Sequence, residues 1–212
     1  SVGHVGVYIG LEATAAELGL PRTNYWVYPD NDYDGAVERF ERDPTGPFPV
    51  VYLSFPSAKD PDFERRCPGK ATIEIVAPAP YSIFERWAGT TWGRRGEGYE
   101  ALKQSYGERL LEVLYERVPQ VRGRVAYWEV STPLSMQWFC GWERGELYGL
   151  DHDPDRLQQR WLRPRTRIPG LYLTGQDVMS CGVTGAMMGG VAAAGAVAGM
   201  RRLAPLMRRV LG

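Results

Sequence analysis

Gly170-Leu171-Tyr172-Leu173-Thr174-Gly175-Gln176-Asp177-Val178-Met179-Ser180-Cys181-Gly182-Val183-Thr184-Gly185-Ala186 begins the stretch, running on to Ala194, whose reading decides the fold. The apolar run 171–173 predicts a strand, and Gly175 and Gly182 punctuate a turn. An Ala/Gly-rich helix is expected to leave that turn at Gly185. Glycine lets backbone amides come close to a ligand, and the unsatisfied N–H groups of a helix's first turn carry about half a positive charge. Strand, turn and helix start together point to a large, electron-rich, oxygen-bearing ligand. Asp177 stands at the mouth of the turn, where a carboxylate accepts hydrogen bonds from a sugar or polyol hydroxyl.

With 212 residues the chain has room for one large domain or two small ones, and 44% hydrophobic against 24% charged residues argues against disorder. Lys plus Arg match Asp plus Glu at 25 each, so no net field draws the chain to nucleic acid, and no nucleic-acid partner is expected. Cys67, Cys140 and Cys181 form no CxxC pair and are too scattered for a disulfide framework, which fits a reducing, cytoplasmic setting. Ser1 leads directly into the β-rich run His4-Val5-Gly6-Val7-Tyr8-Ile9 with no signal peptide before it. The chain is therefore expected to be a piece of a longer polypeptide.

Outward from the opening stretch, residues 25–28, 50–54, 71–76 and 125–130 predict further strands, forming a sheet of antiparallel character. A helical turn is expected at 14–18, ended by Gly19 and Pro21, and another at 35–42 within an acidic surface excursion. Leu102, Tyr106, Leu110, Leu114 and Val118 recur four apart, with Leu111 and Tyr115 widening the stripe, so residues 99–118 predict an amphipathic helix stopped by Pro119. Residues 137–152 have no clean period. Trp138, Phe139, Trp142 and Tyr148, set among Gly141, Gly145 and Gly149, predict a loop lining something apolar.

Two blocks carry a family resemblance. The first is Gly170-Leu171-Tyr172-Leu173-Thr174-Gly175-Gln176-Asp177 followed by Cys181-Gly182-Val183-Thr184-Gly185-Ala186, and the second is Ser131-Thr132-Pro133-Leu134 followed by Gly145-Glu146-Leu147-Tyr148-Gly149-Leu150-Asp151-His152. Together they resemble the C-terminal portion of the phytoene desaturase, carotenoid isomerase and retinol saturase family of FAD-dependent oxidoreductases. Many carotenoid desaturases have Pro-Gly-x-Gly in the final loop; this chain has Ser180-Cys181-Gly182, which resembles the saturase branch more.

The resemblance implies an α+β fold in two parts. Residues 1–130 would be the later part of a substrate domain, a mixed or antiparallel sheet with packed helices. Residues 131–212 would be the C-terminal strand and helix of a Rossmann-type FAD domain. The family's strand–GxGxxG–helix, which holds the FAD pyrophosphate, is absent from this sequence. The chain would then hold part of a FAD site, built from Gly175, Gln176, Asp177, Gly182, Val183, Thr184, Gly185 and Ala186, and the remainder of the parent polypeptide would be its partner. Saturation, desaturation or isomerisation of C=C bonds in a polyene or isoprenoid is the implied chemistry, with NAD(P)H as an allowed electron donor. No catalytic residue is assigned. Trp138, Phe139, Trp142 and Tyr148 are the candidate walls for a lipophilic substrate.

Structural readings stand beside these. A strand, glycine turn and helix is common in α/β proteins, and clustered aromatics often serve as core or interface. The rival function is a non-catalytic module binding a lipophilic ligand or a partner chain. Asp151-His152-Asp153 reads as a loop turn rather than a metal site, His4 as a packed or edge-strand histidine, and Cys181 as a small buried filler. Residues 183–200 are free of charge but rich in Ala and Gly, which suits close packing better than a membrane span. Arg201, Arg202, Arg208 and Arg209 make the tail a basic amphipathic segment interrupted by Pro205, fit for peripheral membrane contact. Apolar surface around Leu171, Leu173 and the Ala/Gly helix makes self-association an expectation.

Overall fold

Alternation of buried and open side chains builds the sheet in the computed structural model, which describes residues 1–211. Five antiparallel strands, β1 (His4–Leu11), β2 (Tyr25–Val27), β3 (Val51–Ser54), β4 (Ala71–Pro78) and β5 (Val125–Ser131), stand in the order β2-β3-β4-β1-β5. Val7 lies opposite Ile75 on β4 and Val130 on β5, and Ile9 opposite Ile73, so every second residue of β1 faces one core. Tyr8 and Glu129 pair on the opposite face.

Among the described residues eight α-helices accompany the strands: α1 (Tyr33–Arg42), α2 (Pro56–Lys59), α3 (Phe63–Arg66), α4 (Glu97–Arg117), α5 (Pro133–Cys140), α6 (Pro154–Leu157), α7 (Gly182–Ala198) and α8 (Met200–Leu211). The long helix α4 buries Tyr106, Leu110, Leu111 and Leu114, members of the stripe read from the sequence. Truncating Leu110 or Leu114, both fully buried, to Ala would cost about 2–5 kcal/mol. Gly107 sits in the middle of this helix because a Cβ there would lie 2.1 Å from the Trp128 ring of β5. The glycine gives up about 1 kcal/mol of helix propensity and admits the sheet. Arg117 is the last residue of α4, and the Val118 N–H closes onto Leu114 O at 2.8 Å just before Pro119.

The chain divides into two compact units, Val2–Glu146 and Leu147–Gly212 with Ser1. The first contains the whole sheet and α1 to α5, and the second contains α6, α7 and α8. Sequence reading drew its boundary at residue 130.

Local differences have local causes. The excursion at 29–49 holds a ten-residue helix rather than one turn, because Asp32 Oδ1 accepts the Gly35 N–H at 3.1 Å and caps α1. Residues 137–140 are helical, not loop: Pro133 begins α5 and Ser135 Oγ accepts the Thr132 N–H at 3.1 Å. The run 171–173 forms no ladder. Tyr172 makes an isolated antiparallel bridge with Arg165, and Leu173 N–H donates to Pro164 O at 2.8 Å. A strand needs neighbours for its alternate backbone groups, and among the described residues the second unit has none. His4 is packed rather than on an edge strand, and burial lowers its pKa below the usual imidazole value.

Candidate cofactor loop and apolar cavity

Within the second unit, residues 175–181 form a tight loop that leads into α7. Gly175 has φ +94° and Gly182 φ +80°, the left-handed region glycine tolerates, and neither has an atom within 4 Å of where a Cβ would stand. Two turns, Val178 N–H to Gly175 O at 3.3 Å and Met179 N–H to Gln176 O at 3.2 Å, fold the segment. Helix α7 approaches through glycine. A Cβ at Gly185 would lie 1.8 Å from Ser180 O, and one at Gly189 would lie 2.3 Å from Gly175 O. These two positions are one turn apart on one face, so backbone rests on backbone along the contact.

The loop is braced from α6. Asp153 Oδ1 accepts the Arg156 N–H at 2.7 Å and caps that short helix. Arg156 Nη2 then donates to Gln176 O at 2.8 Å and Asp177 O at 2.7 Å. Asp177 Oδ1 accepts the Leu150 N–H at 3.0 Å, and Gly149, at φ +71°, leaves that carboxylate room, since a Cβ there would lie 2.5 Å from Oδ1. Its second oxygen has no protein partner among the described residues.

Helix α7 starts at Gly182, three residues before the predicted Gly185. No side chain caps it, and the Gly182 N–H makes one long bond, 3.4 Å, to Gln176 Oε1. Val183 is 87% exposed, whereas Gly185 is buried against the Ser180 backbone. Gly175, Gln176, Asp177, Gly182, Val183, Thr184, Gly185 and Ala186 are thus brought together on one loop and one helix start. Cys181, expected to be buried, is exposed because the loop's packing contacts are made by backbone at Ser180 and Gly175. Asp151 accepts the His152 N–H at 3.0 Å and makes a turn. No helix among the described residues is long and apolar enough to cross a membrane.

The first unit has a cavity of about 360 Å3 beside β5, one of the two edge strands. Its rim is aromatic: Phe139 on α5 and Trp92 meet edge to face with centroids 5.2 Å apart, opposite Tyr8. Ser131 and Arg95 also line it. Arg95 is only 6% exposed, its Nη1 donating to Trp87 O and Thr90 O and its Nη2 to Leu134 O. Tyr99 and Thr132, both buried, share a hydroxyl hydrogen bond of 2.7 Å that ties α4 to the start of α5. Of the four aromatics marked from the sequence, Phe139 lines this cavity, while exposed Trp138 borders a shallow hollow with Thr90 and Thr91. Trp142 is half-buried in the same unit, and Tyr148 belongs to the other.

Arg156 and Arg95 went unmarked in the sequence, and Ser131 was marked only within the block 131–134. For Arg156 a signal existed, since Asp153-Pro154 is a helix start that sets the next turn's side chains. Arg95 has none, because its approach to Ser131 depends on how the segment before α4 packs beside β5.

No protein-family model matches the chain. Individual relatives do. The all-trans-retinol 13,14-reductases of Macaca fascicularis and Homo sapiens are each 39% identical to it over 203 residues, which is 92% of this chain. An inactive all-trans-retinol 13,14-reductase of Danio rerio is 33% identical over 205 residues, again 92% of the chain. The class defined by these matches is a reductase family, and the resemblance read from the sequence holds on its saturase side. Over these residues the chain is similar to the retinol reductases. It spans about a third of the length of the curated relatives it matches, 33% in each case.

Proposed function

We propose that the chain is the C-terminal portion of an FAD-dependent oxidoreductase acting on a C=C bond of a polyene or similar isoprenoid. The observation that carries the reading is the uncapped start of α7 set against a glycine loop braced by Arg156, in a chain 39% identical to retinol reductases. FAD fits these residues. Gly175 and Gly182 leave open space, the uncapped first turn of α7 offers the amides of Val183 and Thr184, and Asp177 offers an acceptor. When bound, FAD supplies the two-electron redox chemistry, and NAD(P)H is the proposed donor. The first-turn amides favour negative charge at the ring through the helix dipole. The Asp177 carboxylate holds a ribityl hydroxyl, while Arg156 keeps residues 176–177 in place.

In this reading residues 171–173 complete a Rossmann-type sheet whose other strands belong to the rest of the parent polypeptide. Phe139, Trp138 and Trp142 in the first unit, and Tyr148 in the second, serve the lipophilic substrate. Helix α8, with Arg201, Arg202, Arg208 and Arg209 exposed, lies against an anionic membrane surface at the cytoplasmic side. Apolar side chains exposed at Leu171, Val183 and Met187 pack on the missing parts or on a second copy.

The test is flavin content. In the full parent, Asp177→Asn keeps an acceptor for the Leu150 N–H but removes the charge. Loss of one charge-assisted bond, about 1.5–3 kcal/mol, raises the FAD Kd roughly ten- to a hundredfold. The 212-residue chain alone retains FAD weakly. Unchanged flavin in the variant, or tight stoichiometric flavin in the isolated chain, refutes the assignment. A second, non-catalytic reading draws on the Danio rerio relative named inactive; it predicts retained ligand with no turnover in the parent.

A further inference from the structure

We infer that residues 157–168, together with the start of α8, form a surface that docks on an anionic lipid bilayer, with Trp161 as its interfacial anchor. The inference deepens the membrane contact proposed above for α8 and rests on it in part; it needs nothing from the flavin reading. The balanced charge of the whole chain conceals an uneven division. Residues 147–212 carry nine arginines against four aspartates, with neither Lys nor Glu, a net charge of +5. Residues 1–146 carry 16 cations against 21 carboxylates, a net charge of −5. Every ion pair among the described residues joins two side chains of the first unit. Among those residues, the arginines of the second unit meet no carboxylate at ion-pair distance.

The backbone gathers them towards one end of that unit. Residues 164–166 run beside 171–173, with the Leu173 N–H donating to Pro164 O at 2.8 Å and Thr166 Oγ1 donating to Leu171 O at 2.9 Å. Arg165 holds its guanidinium over the Tyr172 ring, 5.5 Å from the centroid, and donates from Nη2 to Ala196 O near the end of α7. Helix α8 begins just beyond, at Met200, with Arg201 and Arg202 exposed. Arg163 and Arg167 flank the Arg165 anchor and are exposed, as is Arg160. Helix α7 has 17 residues, about 25 Å, so the anchor lies most of a helix length from the cofactor loop at the other end.

Charge alone suits any polyanion, and the apolar side chains decide for lipid. Leu157 is 80% exposed, Trp161 61% and Ile168 61%, interleaved with Arg160, Arg163 and Arg167. A nucleic acid or a soluble phosphate offers nothing to Leu157 and Ile168. The boundary between headgroups and acyl chains takes apolar side chains inward and holds an indole at headgroup level. It also gives each guanidinium fork a phosphate to grip.

Sedimentation of the 212-residue chain with phosphatidylcholine vesicles, with and without phosphatidylserine, tests this. Binding is expected to the anionic vesicles alone and should weaken as salt is raised. An arginine near such a surface contributes about fivefold in partitioning, so Arg160→Gln, Arg163→Gln and Arg167→Gln together should lower it roughly a hundredfold. Lysine at the same three positions should retain most of the binding, which separates charge from fold. Trp161→Ala should weaken binding and leave its salt dependence in place. Soluble glycerophosphoserine, or single-stranded RNA, at the same phosphate concentration should not displace the vesicles. Equal binding to both vesicles, binding unmoved by the triple Gln variant, or displacement by either soluble phosphate overturns the inference. So does a full parent indifferent to the triple Gln substitution, because its own remainder then covers the surface. Vesicle binding lost only when Arg201, Arg202, Arg208 and Arg209 become Gln refutes this surface and keeps the α8 contact; the reverse result refutes the α8 contact alone. Flavin retention is read separately, through Asp177→Asn.

Discussion

Substituting Gly189 and Gly190 by Ala, one at a time, separates helix propensity from backbone contact. Each change gains about 0.5–1 kcal/mol, because Gly loses more freedom than Ala in a helix interior. Gly190 is exposed, and a Cβ there has nothing within 4 Å. At Gly189 the new carbon would lie 2.3 Å from Gly175 O, 2.9 Å from Gly175 N and 3.0 Å from Gly175 C. All three are backbone atoms, so no side chain can swing aside, and helix and loop must part. Overpacking of this kind costs about 1–3 kcal/mol. The propensity gain is common to both variants, so their difference is the contact itself, about 1–3 kcal/mol, or five- to 150-fold in local opening. Hydrogen exchange by mass spectrometry over peptides covering 183–198 measures it. Gly190→Ala should exchange more slowly than the parent sequence and Gly189→Ala faster than Gly190→Ala by that factor. If the two variants exchange alike, α7 does not rest on the Gly175 backbone and the loop geometry described here is wrong.

Other expectations follow the same residues. Arg156→Gln removes the clamp on Gln176 O and Asp177 O and should speed exchange in residues 175–181 by roughly tenfold or more, with the sheet unit unaffected. Tyr99→Phe and Thr132→Val each strand a buried hydroxyl and should cost about 1–3 kcal/mol in urea unfolding, while the double variant costs less than their sum. His4 is held below the usual imidazole pKa of 6.5 by burial, so the unfolded chain takes up its proton first as pH falls. Its stability contribution is complete above about pH 6.5 and declines as pH drops through 6.5 towards the lower folded value; His4→Leu should flatten that limb in pH-dependent unfolding.

Periodicity placed all five strands and α4 within a few residues because the core-facing positions of these elements pack on one core. Helix α5 was hidden by its own composition. Thr132-Pro133 is a start signal, but the aromatics at 138, 139 and 142 follow no helical stripe, since Trp138 and Phe139 are exposed rather than packed inward. The run 171–173 has the sequence of a strand without the neighbours, which no local signal reveals. The cofactor loop was readable because its parts are contiguous, from Gly175 to Ala186. The cavity was not: Tyr8, Tyr99 and Ser131 meet through pairings such as Gly6 with Ser131, which become visible only when the sheet is assembled.

The strand order has a consequence in time. Val7 of β1 is synthesised well before either of its partners, Ile75 and Val130, and only the second closes the sheet on that side. At roughly 5–20 residues per second, the ribosome leaves one flank of an apolar strand open for about 6–25 s. A chain terminated before Val125 would keep that flank permanently, with a row of unpaired amides and carbonyls ready to recruit another molecule. Expression of such truncations should give aggregates, and co-expression of a segment spanning β5 should rescue them.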